Sequence, residues 1–520
     1  MTKAMLTSMA MSSAATIDLT LLAEPRLDFR YGQKLVDPHA GLALFGPFDA
    51  DDASHPKGIS YAVIGAPEGL AAFEQFAQVL AGPIVSQKYG DPSLLAKAKL
   101  LWPPYPGFEA AFATSWPAKP SFAEALDRTK LLEASRLRDP NRRAHAVVDF
   151  YVQVINRLKE RDERFDVVLC IVPDLIWKNC RPKSTIQDGI GSSPSLHERT
   201  VRRVQPDLFG TYRTEEYELS VDFRRQLKAR VMETGIPVQI VRESTLRIED
   251  SGDLHERGLT VLSDRAWNLS TAIYYKAGGK PWRLASAREG VCYVGIAFRK
   301  TDPSDTESRT ACCAAQMFLD TGDGVVFRGE FGPWYSPEKK ECHLSETSAH
   351  DLLKGVLQAY ADQGGKNLKE IFLHSRSTID ATEFSGYARA CPPGVKLVGV
   401  RVRQDSTTKI YREGKWPVLR GTFWKLDDRS GYLWASGFKA SVLSYDGWEM
   451  PVPLRIDVEH GEASVELVAR DILGLTKLNY NACKIGDASP VTVGFSNAVG
   501  EILVSNPTIK NPRPNFKFYI

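Results

Sequence analysis

Arg224 and Lys228 stand four residues apart in SVDFRRQLKARVMETG, a spacing that projects both cations from one face of a helix. A guanidinium and an ammonium on one face can converge on an anion, and a phosphate suits them because both donate charge-assisted hydrogen bonds. The flat guanidinium of Arg224 can also stack on a nucleobase. Read alone, an Arg–Lys pair at this spacing is more often an ordinary solvated helix face than an anion site. Further along, Arg401 and Arg403 alternate within LVGVRVRQ, so a strand points both to one sheet face, where they suit a nucleic-acid backbone.

Two α/β units are expected to position these groups. Before Arg224 the sequence predicts a strand within 59–65, a helix near 70–80 and a helix over 143–162. The buried strand DVVLCIVP follows at 166–173. Proline and aromatic residues crowd 102–120, which reads as an extended connector whose aromatics are candidates for a partner contact or for internal packing. The helix of Arg224 takes Ser220 as N-cap, buries Phe223, Leu227 and Val231, and ends at Gly235. Strand–helix–strand alternation predicts a small parallel sheet. From Gly290 a second unit begins: strand YVGIAF, a hairpin in TACCAAQMFLDTGDGVVFRGE, helix HDLLKGVLQAYADQ, strand EIFLHS and further strands toward Val504.

Composition sets few limits. The 520 residues carry a net charge of +3, which neither requires nor excludes nucleic acid. Eight cysteines lack any CxxC pair, so reduced thiols in the cytoplasm are expected and no zinc site. The N-terminal run MTKAMLTSMAMSSAATIDLTLL is too polar and short for a membrane span, and no signal peptide is expected.

Six segments together resemble the short prokaryotic Argonautes, which keep the MID and PIWI domains and lack PAZ. They are EPRLDFRYGQKLVDPHAGLALFGPFDA (24–50), WNLSTAIYYKAGGKPW (267–282), YVGIAF (293–298), IFLHSRST (371–378), LTKLNYN (475–481) and PVTVGFSNAVGEIL (490–503). The resemblance implies an α/β chain with an N-terminal α/β segment (1–125), a Rossmann-like MID domain (126–290) and an RNase H-like PIWI domain (291–520). It also assigns Arg224, Lys228, Gln239 and Lys276 to a pocket for a guide's 5′-phosphate. One departure is Ala272, four before Lys276, where relatives often carry a second Lys. The C-terminal carboxylate, here on Ile520, is implied as a contributor, with a structural Mg²⁺ at the guide's 5′ end.

The RNase H resemblance also implies a two-metal nuclease centre, which needs carboxylates. This chain supplies Ala297, Arg376 and Asn497 at the corresponding positions, so no cleavage is expected. Glu330, Glu338 and Glu341 lie where a glutamate-bearing loop is expected, and one Glu cannot assemble two ions. Arg376 is instead a candidate clamp on a target phosphate, with Arg401, Arg403 and Lys477 as further backbone contacts, while His374 reads as a hydrogen-bonded core residue.

The function implied is a guide-loaded sensor in prokaryotic immunity. Its ligands would be a short 5′-phosphorylated guide RNA and complementary single-stranded target DNA from a plasmid or phage. Its partner would be an APAZ-containing effector, sirtuin-like, TIR or nuclease, in a heterodimer or a higher oligomer on activation. The alternatives are an active nuclease using another acidic set, and an interaction scaffold that has lost nucleic-acid binding.

Overall fold

The computed structural model describes residues 17–85, 102–248, 260–300, 310–318, 324–327, 331–362 apart from 333, 337 and 339, 367–506 apart from 446 and 448, 513, and 515–520. The first sheet holds β1 (Tyr61–Gly65), β2 (Phe122–Ala125), β3 (Val167–Val172) and β4 (Val238–Arg242), all parallel, in the order β2-β1-β3-β4. Every residue of β1 and β3 is buried. That is the pattern of central parallel strands covered on both faces, and it explains why VVLCIV carries no polar alternation.

Helix α1 (Pro67–Ala81) follows β1, and α2 (Pro140–Lys159) precedes β3. Asp139 caps α2 by accepting from the amides of Asn141 and Arg142, and Pro140 loses nothing at the first helical position. One face of α2 buries Val147, Val148, Tyr151, Val154, Ile155 and Leu158 with Phe223, Leu227 and Val231 of α3 (Phe223–Val231). Each such side chain contributes about 1.5–3 kcal/mol by leaving water. The apolar stripe of α3 is as expected, but its cap is not Ser220. Asp222 caps it, accepting from the Arg225 amide at 3.0 Å, while the Ser220 hydroxyl accepts from the Asp222 amide at 3.2 Å. The helix therefore starts later than expected. Gly235 closes the turn after α3 in the left-handed region, at φ 75°.

The 102–120 stretch is no surface connector. Tyr105, Phe108, Phe112 and Trp116 are buried, and Trp116 stacks on Tyr61 with ring centroids 4.7 Å apart. These aromatics serve the chain's own core, so they are not partner contacts. The first sheet accordingly takes strands from both sides of residues 125 and 126, where the sequence reading placed a domain boundary. The prolines mark an excursion between β1 and β2, not a domain end.

Among the described residues the second sheet has ten strands, nine of them after α4 (Leu262–Lys276). Its parallel centre is β5 (Val291–Lys300), β8 (Glu370–Ser375) and β9 (Lys396–Gln404). Beyond β5 lies the expected hairpin, β6 (Thr310–Phe318) and β7 (Gly324–Phe327). Beyond β9 come β12 (Leu454–His460), β11 (Ser430–Leu433) and β10 (Thr422–Lys425), all antiparallel. Helices α5 (Glu346–Asp362) and α6 (Ala381–Ala390) cover one face and bury Cys292, Val294 and Ile296 of β5. Helices α7 (Val465–Leu475) and α8 (Val491–Leu503) cover the other face. There α8 comes so close that a Cβ on Gly295 would lie 1.8 Å from the Thr492 carbonyl oxygen, so only glycine fits.

Two early strands pair with later parts of the chain. Thr20–Leu21 pairs with β10, and Leu27–Asp28 forms a small sheet with Lys34–Leu35 and Arg283–Leu284. No helix among the described residues is long and apolar enough to cross a membrane.

Candidate nucleic-acid interface

Helix α3, the start of β4, the end of α4 and the residue Ile520 bring the anticipated cations together. Lys228 is buried, and its ammonium donates to the Val238 carbonyl at 3.4 Å and to the main-chain oxygen of Ile520. Lys276, fully buried at the end of α4, has no hydrogen-bond partner for its ammonium among the described residues. The half-buried guanidinium of Arg224 lies close enough to both to repel them.

The electrostatics follow from burial and crowding. Burial, then Arg224, pushes Lys276 down to about 7. Burial, then Lys276 and Arg224, holds Lys228 well below the usual lysine range. Burial also lowers Arg224, opposed by Asp222 and Glu501. Buried cations that repel one another, one without a partner, are costly unless an anion completes the set. Gln239 adds a buried Oε1 without a partner, while its amide nitrogen donates to the Ile240 carbonyl at 3.3 Å. Ala272, one turn before Lys276, is buried and offers only a methyl group.

The same geometry bears on the anticipated Mg²⁺. Such an ion wants oxygen ligands, usually carboxylates. Here the Ile520 main-chain oxygen accepts from the Lys228 ammonium, and Lys276 and Arg224 lie close enough to Lys228 to repel it. No group of three His, Cys, Asp or Glu side chains among the described residues could hold a metal. Among the described residues the pocket presents the ammonium groups of Lys228 and Lys276, the guanidinium of Arg224 and the main-chain oxygen of Ile520.

The second site gathers where α8 crosses β5. Ala297 is buried on β5, on the same face as Gly295, and presents a methyl group. Arg376 is exposed immediately after β8. Asn497 lies on α8, with its side chain outside the description. His374 is fully buried, and its Nδ1 lies 2.9 Å from the Thr492 hydroxyl. Burial pushes it down to about 3, so it is a neutral core histidine. Of the candidate glutamates, Glu341 lies 2.8 Å from Arg401 and Glu338 is exposed, while Glu330 falls outside the described residues.

Two of the anticipated backbone contacts are engaged elsewhere. Lys477 is buried at 1% exposure, and its ammonium donates to Glu24 at 3.2 Å, the Pro25 carbonyl at 2.7 Å and the Val36 carbonyl at 2.8 Å. All three donors are used, so it pins the N-terminal segment and does not reach a phosphate. Arg401 pairs with Glu341 and donates to the Arg376 carbonyl at 3.3 Å, which holds the turn after β8. Arg403 is exposed and available.

Sequence reasoning missed Glu501. Its carboxylate receives Arg225 of α3 at 2.7 Å and Arg299 of β5 at 2.5 Å, bridging the two cation-bearing regions. The available signal was its place one helical turn after Asn497.

No protein-family model matches the sequence, and no curated protein aligns with it. Solved structures do. Clostridium butyricum Argonaute bound to a guide DNA and a 19-mer target DNA superposes with a TM-score of 0.63 at 16% identity, over 97% of this chain and 55% of that one. The Argonaute of A. aeolicus gives 0.55 at 15%, over 98% and 56%. Drosophila Piwi gives 0.57 at 14%, over 96% and 56%. The chain spans just over half the length of these proteins. A Rossmann-like parallel sheet followed by an RNase H-like mixed sheet is thus the MID–PIWI arrangement, and the chain has the Argonaute fold.

Proposed function

We propose that this chain is a short Argonaute that binds nucleic acid through a guide and does not cut it. The observation that carries the reading is the buried, partnerless ammonium of Lys276 beside Arg224 and Lys228. A 5′-phosphate dianion would offset that charge and accept hydrogen bonds from all three side chains. The chain's share of the work is to hold and orient the guide's 5′ end, leaving sequence to be read by base pairing.

The ligands in this reading are a short 5′-phosphorylated guide RNA and single-stranded target DNA. Absence of cleavage is supported by the methyl group of Ala297 and the exposed cation of Arg376, where a metal centre would need carboxylates. An output then has to come from another protein, an APAZ-containing effector of sirtuin-like, TIR or nuclease type, in a heterodimeric or larger defence complex in the cytoplasm.

The test is to purify the full chain, identify co-purifying nucleic acid, and compare loading of 5′-phosphorylated and 5′-hydroxyl RNA. Preference for the phosphate, lost in Arg224→Ala/Lys228→Ala, is expected. Indifference to the phosphate sinks the pocket assignment. Guide-directed products in Mn²⁺ that vanish with chelator would instead make the chain a nuclease.

A further inference from the structure

We infer that the segment between β9 and β10 is a second contact for single-stranded nucleic acid, gripping its backbone with Lys409, Arg412 and Lys415 and stacking a base on Tyr411. The segment, DSTTKIYREGKWPV, sets three cations against the single acid Glu413 between residues 409 and 415. Lys409, Arg412 and Lys415 are all exposed, and Tyr411 is 72% exposed. The Tyr411 ring is thus free to be stacked upon from solvent.

The segment is tethered to the core at its start, middle and end. Asp405 anchors its start, accepting from the Thr407 amide at 2.9 Å, the Thr408 hydroxyl at 3.2 Å and the Tyr432 hydroxyl at 2.8 Å. Its negative charge is thereby turned inward. Ile410 packs against the buried cluster of Val418, Tyr432 and Trp434, which pins the middle. Trp416 lies against Phe438 with ring centroids 5.2 Å apart, which pins the end. The Arg412 guanidinium rests 5.4 Å from the Phe438 ring and the Lys415 ammonium 5.6 Å from the Trp416 ring. Both cations are therefore steered by aromatic faces while staying in solvent.

Cations alternating with an exposed aromatic suit a single strand, whose unstacked bases offer π-faces and whose phosphates offer charge. A duplex hides the former, and an acidic protein surface lacks them. The stacking tyrosine decides between these occupants.

The test uses the guide-free full chain and an oligothymidylate of about 20 nucleotides with a 5′-hydroxyl, which gives the Lys276 pocket no phosphate to hold. Lys409→Ala/Arg412→Ala/Lys415→Ala is expected to weaken binding at least about tenfold at low salt and to flatten the salt dependence by about 2 in logarithmic slope. Tyr411→Ala should weaken binding about tenfold, and Tyr411→Phe should leave it unchanged, because stacking needs the ring and not the hydroxyl. Equal affinity and slope in the triple variant overturn the inference. So does unchanged oligothymidylate binding alongside lost binding of polyglutamate, which would make the face a protein contact. Lys276→Met separates this site from the guide pocket: it should lose the 5′-phosphate preference and keep oligothymidylate binding.

Discussion

Arg225 lies 2.7 Å from Glu501, and through that carboxylate α3, which carries Arg224 and Lys228, is fastened to Arg299 on the strand of Ala297. All three side chains are less than a third exposed, so water and salt screen the network only partly. Glu501→Gln should cost about 1–2 kcal/mol and lower Tm by a few degrees. Arg225→Ala and Arg299→Ala should be non-additive in a double-mutant cycle. Additive effects would show that the two arginines do not share the carboxylate.

Lys276 makes the pocket pH-dependent. Burial pushes it down to about 7, against 10.5 for a free lysine. Between those values the unfolded chain keeps a proton that the native chain has released, so this group makes the guide-free protein more stable as pH rises through the window. A bound phosphate favours the protonated lysine, so affinity for a 5′-phosphorylated guide should fall above about pH 7, by up to tenfold per unit. A 5′-hydroxyl guide should show no such slope. Lys276→Met should shrink the slope to what Lys228 contributes and raise the Tm of the guide-free protein. A pH-independent phosphate preference in the unaltered chain would refute the assignment.

Lys477 is predicted to act on stability and not on nucleic-acid binding. Its loss leaves Glu24 with Arg420 alone and strips a donor from two carbonyls. Lys477→Ala should cost about 3 kcal/mol or more and expose the N-terminal segment to limited proteolysis. A fully stable variant with weakened duplex binding would restore it to the backbone contacts.

Arg376 is exposed just after β8. Arg376→Ala should leave guide loading intact and weaken target binding by the loaded protein about fivefold, the value of one exposed charge contact. No cleavage should appear in Mn²⁺. Unchanged target affinity would assign Arg376 to the surface alone.

Local pattern made much of this legible. Runs such as VVLCIV, YVGIAF and EIFLHS are buried on both faces, and the absence of alternation announced them. The i, i+4 spacing placed Arg224 and Lys228 on one face of α3. What stayed hidden depends on residues far apart in sequence. Lys477 meets Glu24 across 453 positions, so nothing near it revealed that it is buried. Arg401 looks free until Glu341, 60 residues earlier, folds against it. Ser220 and Asp222 are both capping residue types just before the helix, and it is the carboxylate of Asp222 that accepts from the Arg225 amide. The proline-rich stretch misled for a related reason: punctuation marks a change of direction and does not say whether the chain leaves the core.

The pairing of Thr20–Leu21 with β10 carries a consequence for handling the chain in pieces. Its first strand belongs to the sheet built last, and Arg283–Leu284 returns to pair with Leu27–Asp28 near the start. A single cut near residue 290 would therefore strand an edge of the later sheet on the earlier fragment. Two separately produced halves should be poorly soluble alone and should recover only when mixed, as complementing fragments.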